Sequence, residues 1–207
     1  MSLLQTTSPS VWLNAITFVR IPLAGFVAIL LARPGVEVPT TRVALVCIVL
    51  IELSDWLDGK LARRYGLTTK FGSVFDPFAD AVSRFLVFWG LTQIGYCAAY
   101  VIPVIAVRDV SVAYIRTWLV GVGASAGARW SGKTKAVVQG AGALVLILGP
   151  SFWGGWWATV SSGISLAVAL VVGASLLDYS IAVINVSRQG TTSEPHPRSD
   201  DGAGMGR

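Results

Sequence analysis

Stretches at about residues 12–32, 43–63, 74–97, 99–122, 136–152 and 158–187 are almost continuously apolar, and short polar segments separate them. A helix needs about 20 apolar residues to cross the hydrocarbon core of a bilayer, and the first four stretches have that length. The fifth is short and the sixth long, which tilt or interfacial ends accommodate. None shows the alternation of apolar and polar residues that marks a membrane barrel. Helices are the remaining way to satisfy every backbone N–H and C=O in lipid. The pattern predicts an all-α integral membrane protein with six transmembrane helices.

The polar connections orient it. Residues 60–72 carry Lys60, Arg63, Arg64 and Lys70, and residues 124–135 carry Arg129, Lys133 and Lys135. The connections near 33–42, 98 and 153–157 are poorer in Lys and Arg, and Trp153, Trp156 and Trp157 read as an aromatic belt. Lys and Arg accumulate on the cytoplasmic side of membrane proteins, so both basic connections, and with them both termini, are expected in the cytoplasm. The first stretch has no charged segment before it, contains Arg20 and Pro22, and exceeds the length of a signal-peptide core; it is expected to remain as a helix. After residue 187 the chain turns to Gly, Ser, Pro, Asp and Arg without periodicity. A membrane domain over 1–187 is therefore expected to be followed by a disordered cytoplasmic tail over 188–207, which holds the one histidine, His196.

Composition agrees: 54% of the residues are apolar and 13% charged, a balance foreign to soluble domains of this size. The net charge of +5 is dispersed over membrane connections and not gathered on one face, which argues against a nucleic-acid partner. Cys47 and Cys97 lie in apolar runs without metal-ligand spacing and read as small packing residues.

Residues 54–85, SDWLDGKLARRYGLTTKFGSVFDPFADAVSRF, depart from this background. A carboxylate within a membrane helix costs about 2.5–3.5 kcal/mol on insertion scales, yet Asp55, Asp58, Asp76 and Asp80 fall within 26 residues. Asp55 and Asp58 are spaced i, i+3 and Asp76 and Asp80 i, i+4, so each pair shares one helix face. Four such groups in one place repel one another unless cations neutralise them. Oxygen ligands without His or Cys point to Mg²⁺ or Mn²⁺, with Ca²⁺ as a further candidate, over zinc. Gly59 and Ala62 strip the adjoining surface of side chains, and Gly72 does the same near the entry of the next helix. Arg63 and Arg64 stand where guanidinium groups can pair with phosphate oxygens. The set describes a site for a pyrophosphate carried by a divalent cation. Taken singly, a carboxylate pair can cap a helix and small residues can serve helix packing; neither accounts for four inward carboxylates.

The run Asp55-x2-Asp58-Gly59-x2-Ala62-Arg63-x8-Gly72-x3-Asp76-x3-Asp80 resembles, position for position, the signature of the CDP-alcohol phosphatidyltransferase family. The resemblance implies transfer of a phosphatidyl group from CDP-diacylglycerol to a hydroxyl-bearing acceptor, with release of CMP. It implies two metal ions, with Asp55, Asp58 and Asp76 as principal ligands and Asp80 completing the second metal site and acting as general base. CDP-lipid would lie against Asp55, Asp58, Gly59, Ala62, Arg63 and Gly72. A homodimer in the cell (inner) membrane, with its active site facing the cytoplasm, is likewise implied.

The acceptor must be read elsewhere. Arg108 and Arg116 lie eight residues apart in the fourth stretch, about 80° around a helix, and an arginine inside a membrane helix needs an anionic partner. Asp109 offers one as a simple ion pair, while Arg116 has no acidic neighbour in sequence. With Lys133 and Lys135 they form a candidate binding site for an acceptor's phosphate. The Arg108-Asp109 pair, Gly132-Lys133-x-Lys135-x3-Gln139, Asp76-Pro77-Phe78-Ala79-Asp80 and Asn14-x2-Thr17-x2-Arg20 resemble the phosphatidylglycerophosphate synthase branch, which uses glycerol 3-phosphate. Ala81 and Asp109 depart from it, the branch usually having Lys and Glu there. Phosphatidylinositol-phosphate synthase and phosphatidylserine synthase remain as alternatives. A divalent-cation transporter is the alternative from another class; against it, no carboxylates continue a path into the opposite half of the spans.

Overall fold

The computed structural model describes residues 9–65, 70–123 and 130–190, with side chains described for residues 17–57, 60, 72, 74–123 and 130–187. The chain forms helices α1 (Pro9–Leu31), α2 (Val38–Tyr65), α3 (Lys70–Gln93), α4 (Val101–Gly121) and α5 (Trp130–Leu148). The short α6 (Pro150–Trp153) and a 3₁₀ turn (Gly154–Trp156) lead into the long α7 (Trp157–Gly190). No strand occurs among the described residues. Each apolar stretch is thus a helix. The fifth begins at Trp130, not 136, because the polar run Ser131–Lys135 continues the helix and its Lys135 turns inward onto a carboxylate. Helix α7 runs to Gly190, and the rest of the segment expected as a tail, residues 191–207 with His196, lies outside the described residues, as does Arg129.

Each long helix has one inward stripe at helical spacing. In α1 it is Thr17, Arg20, Ala24, Val27, Ala28 and Leu31, all buried. The stripe of α2 is Ala44, Cys47, Ile48 and Ile51, and that of α3 includes Arg84, Val87, Phe88 and Leu91. Tyr179 ends a stripe of Ser165, Val168, Val172 and Ser175 on α7. In α1 and α3 these stripes change from apolar to polar toward one end of the bundle, while large apolar side chains such as Phe26, Leu50, Val107 and Leu170 point outward. Helices that are apolar outside and polar inside suit a hydrocarbon surround. Among the described residues one helical segment, Pro150–Ser187, is long and apolar enough by composition alone to cross a membrane, with mean hydropathy 2.1.

Two trios build the bundle. Helix α1 packs along α3 and α2, and α7 packs along α4 and α5; the trios meet where α5 touches α2 and α3, and α4 touches α3. At the apolar end, Ala32–Val36 of the first connection share a surface hollow with Gln93, Ile94 and Tyr96. Tyr96 also meets the Trp157 ring edge-on at 5.7 Å, so the α1–α2, α3–α4 and α5–α7 connections lie at one end. The free thiols Cys47 and Cys97 are buried in the core.

Candidate active site

The polar end is assembled by α1 first. Thr17 and Arg20 sit one turn apart on its inward face and each reaches a different half of the aspartate run. The Thr17 hydroxyl donates to Asp76 Oδ1 on α3 at 3.2 Å, and Arg20 donates to Asp55 Oδ1 on α2 at 2.9 Å. Arg20 Nε also lies 3.4 Å from Ser54 Oγ. One helix thereby fixes Asp55 and Asp76 relative to each other.

Arg84 performs a second joining, one turn beyond Asp80 on α3. Its Nε donates to Asp80 Oδ1 at 2.7 Å, and its two terminal nitrogens donate to Glu52 Oε1 and Oε2 at 3.1 and 3.4 Å. The second terminal nitrogen is also 3.6 Å from Asp55 Oδ2. Arg84 is 5% exposed at its side chain, a position an arginine keeps in such an environment only with anionic partners. Helix α5 approaches Glu52 at Gly140, where an added Cβ would come within 2.8 Å of the Glu52 Cδ. Gly140→Ala is therefore expected to lower stability by about 1–3 kcal/mol through overpacking, measured as a fall in the Tm of the purified protein; an unchanged Tm would show that Glu52 can move aside.

Asp55, Asp76 and Asp80 thus converge from α2 and α3. Asp58, Gly59, Ala62 and Arg63 fall on the last turns of α2 but lie outside the residues whose side chains are described; Gly72 is buried in the first turn of α3. Glu52, Asp55 and Asp80 meet two guanidinium groups, Arg20 and Arg84, and Asp76 joins them through Thr17, so these four carboxylates and two guanidinium groups carry two more negative than positive charges. An excess of hard oxygen donors of that size fits a divalent cation. Among the described residues no three ligands are gathered closely enough to enclose one, so Asp58 or substrate oxygens would have to complete the shell.

Across the junction between the trios lies a basic cluster. Lys135, buried on α5, donates to both oxygens of Asp109 at 2.8 and 3.1 Å. Arg108 donates to Asp109 Oδ1 at 2.7 Å and, through Nε and a terminal nitrogen, to Ser175 Oγ on α7 at 3.3 and 2.8 Å. Arg116 donates to the Tyr179 hydroxyl at 2.7 Å. Both guanidinium groups also lie over the Tyr179 ring, 5.6 and 5.4 Å from its centroid, a cation–π geometry. Arg108 and Arg116 accordingly face one interior. Helix α5, which carries Lys135, also touches α2 and α3, the helices of the carboxylates. Lys133 is elsewhere: it is exposed, 5.0 Å above the Trp130 ring. Gly132 places its bare Cα near the Tyr179 hydroxyl and Arg108.

Several of these residues had no place in the motif reading. Glu52, Arg84, Ser175 and Tyr179 are isolated polar or aromatic positions in apolar runs, and Thr17 and Arg20 entered only through the branch resemblance. The available signal was the cost of burying a charge: Arg84 stands i+4 from Asp80, the spacing at which two helix residues meet. Ser83 and Gln139 are also fully buried, with no hydrogen-bond partner for the Ser83 hydroxyl or the Gln139 amide among the described residues.

The chain is similar to known proteins over most of its length. The chain is 28% identical over 142 residues to the CDP-diacylglycerol–glycerol-3-phosphate 3-phosphatidyltransferase of Salmonella choleraesuis (strain SC-B67), covering 67% of this chain and 77% of that protein. The protein of the same name from Escherichia coli (strain K12) is 27% identical over the same length and shares. The model of the CDP-alcohol phosphatidyltransferase family matches residues 12–179, a span that contains both the carboxylate site and the basic cluster. The chain belongs to the CDP-alcohol phosphatidyltransferase family.

Proposed function

We propose that this protein transfers the phosphatidyl group of CDP-diacylglycerol to glycerol 3-phosphate, giving phosphatidylglycerophosphate and CMP. The observation that carries the acceptor is the meeting of Arg108, Arg116 and Lys135 around Asp109 and Tyr179, on helices that adjoin those of the carboxylates, a cationic interior suited to a phosphate. The names of the relatives supply glycerol 3-phosphate as the phosphate-bearing alcohol.

In this reading Asp55, Asp58, Asp76 and Asp80 hold two divalent ions, Mg²⁺ or Mn²⁺. Bound there, such ions supply charge neutralisation on the pyrophosphate and on the CMP that leaves. Arg20 and Thr17 keep Asp55 and Asp76 in register from α1. The bare surface at Gly59 and Ala62, with Arg63, seats the nucleotide end of the lipid. The basic cluster orients the acceptor through its phosphate, so that its free hydroxyl lies at Asp80. Asp80 takes the hydroxyl proton as the acceptor oxygen forms a bond to the lipid-bearing phosphorus and the bond from that phosphorus to CMP breaks. A carboxylate is a weak base, so positioning must supply much of the acceleration.

The protein is further read as a six-span enzyme of the cell (inner) membrane, with termini and site on the cytoplasmic side. Exposed Lys60 and Lys133 stand on the helix ends toward the polar end, and exposed Trp153 and Trp156 mark the opposite one. A homodimer follows from the family resemblance alone. Purified protein assayed with CDP-diacylglycerol and Mg²⁺ or Mn²⁺ is expected to release CMP only when glycerol 3-phosphate is present. Release with inositol phosphate instead would move the chain to the phosphatidylinositol-phosphate branch, release with serine would exclude a phosphate-reading pocket, and no release with any acceptor would sink the enzymatic reading.

A further inference from the structure

The Glu52–Arg84 pair has no role in the steps above, yet it is the most highly connected ionic contact of the carboxylate site. One guanidinium touches three carboxylates on two helices: Asp80 through Nε, Glu52 through both terminal nitrogens and Asp55 through one of them. Arg84 and Asp80 share α3, whereas Glu52 and Asp55 lie one turn apart on α2. The guanidinium therefore spans the two halves of the aspartate run at a level deeper than Thr17 and Asp76. Glu52 engages it as a two-pronged acceptor, which fixes the plane of the group and not merely its position. With that plane fixed, the direction from which Nε meets Asp80 Oδ1 is fixed as well. A carboxylate held at Oδ1 presents its other oxygen, Oδ2.

We propose that Arg84, locked by Glu52, is the positioning residue for Asp80. It clamps Oδ1 so that Oδ2 is aimed at the acceptor hydroxyl, and it holds Asp80 and Asp55 at a set spacing before any cation or substrate arrives. Arg84 touches no reacting atom; it acts through Asp80. The inference rests on the reading of Asp80 as the base, and it adds that the base is oriented by a cation belonging to the chain.

Two properties of the guanidinium, its charge and its fork, can be separated by substitution. Arg84→Lys keeps the charge but loses the rigid planar fork that holds the carboxylates in fixed directions. Arg84→Gln removes the charge from a cluster of carboxylates, which raises their attraction for an external cation. The full-length protein, purified in lipid nanodiscs, is compared with Arg84→Lys, Arg84→Gln and Glu52→Gln in three measurements: steady-state kinetics for both substrates, Mn²⁺ binding without substrate followed by electron paramagnetic resonance, and Tm. Arg84→Lys and Glu52→Gln are expected to lower kcat about 10- to 100-fold, as misplacement of a reacting group does, with KM for either substrate little changed. Arg84→Gln is expected to lower kcat similarly while binding Mn²⁺ several-fold more tightly than the parent protein. A purely structural role predicts the opposite coupling, with kcat, Mn²⁺ affinity and Tm falling together, and that result would overturn the proposal. So would a parental kcat in Arg84→Lys, which folds with its charge in place. Should the parent protein transfer to no acceptor, the functional reading fails by itself. The Mn²⁺ comparison then still decides whether Arg84 is the cation of the cluster: tighter binding by Arg84→Gln supports it, and unchanged binding overturns it.

Discussion

Asp80→Asn is expected to lower kcat for phosphatidyl transfer by about 10²–10⁴-fold, the usual contribution of a positioned base, while CDP-diacylglycerol binding stays close to normal. Asn matches Asp in size and keeps an oxygen that can accept from Arg84 Nε, now 2.7 Å from Asp80 Oδ1. What it loses is the ability to take a proton, together with one of the charges read as holding the second cation. The loss of one charge beside Arg84 is shared with Glu52 and Asp55, which still face the guanidinium, so the fold should lose only about 1.5–3 kcal/mol, the worth of a hydrogen bond to a charged group. CDP-lipid binding would be retained because Asp55 and Asp76 keep their Thr17 and Arg20 contacts. The measurement pairs CMP release under single-turnover conditions with equilibrium binding of CDP-diacylglycerol. Turnover near that of the parent protein would remove Asp80 from the base role; loss of lipid binding in step with turnover would make it a ligand for CDP-lipid alone.

Hydropathy made the helices legible and left their faces hidden. In a soluble protein the apolar stripe points inward and periodicity reveals it, but here Phe26, Leu50 and Leu170 point outward as freely as Val27, Ile48 and Val172 point inward. The apolar positions therefore say that a helix exists and little about its orientation. Polar positions carry that information. Asp55, Asp76 and Asp80 were legible because they recur at helical spacing within one run, and the structure brings them together from two helices. Arg108 and Arg116 were legible as costly charges, and the shared Tyr179 ring shows how one interior receives both. Tyr179 itself was not, since an aromatic residue in an apolar stretch reads as core until its hydroxyl is seen to accept from Arg116. Glu52 was hidden for a different reason: its partner lies 32 residues away on another helix, and only the packing of α2 on α3 and α5 discloses the pairing. Lys133 and Lys135 show the same limit at close range. Two residues apart on α5, they point to different sides, one to Trp130 at the surface and the other to Asp109 in the interior.

That division of roles bears on the acceptor. Arg116→Ala is expected to raise the apparent KM for glycerol 3-phosphate by about 10- to 100-fold, corresponding to a charged hydrogen bond of about 1.5–3 kcal/mol, with a much smaller change in KM for CDP-diacylglycerol. Of the two arginines, Arg108 is the more committed to the protein, since Asp109 and Ser175 occupy three of its nitrogens. Arg116 has the Tyr179 hydroxyl on one terminal nitrogen, and its buried Nε has no hydrogen-bond partner among the described residues. A guanidinium held at one corner retains donors for an incoming phosphate, which makes Arg116 the better reporter of acceptor binding. Removing it deletes an interaction present in both the bound ground state and the transition state, so the effect should fall on KM and leave kcat nearly unchanged. Tyr179→Phe supplies the graded comparison: the ring still supports both guanidinium groups, only the hydroxyl that orients Arg116 is gone, and the rise in acceptor KM should be smaller than for Arg116→Ala. Equal changes in KM for the two substrates would move Arg116 out of the acceptor pocket. A kcat loss without a KM change would instead place it with the groups that meet charge developing in the transition state.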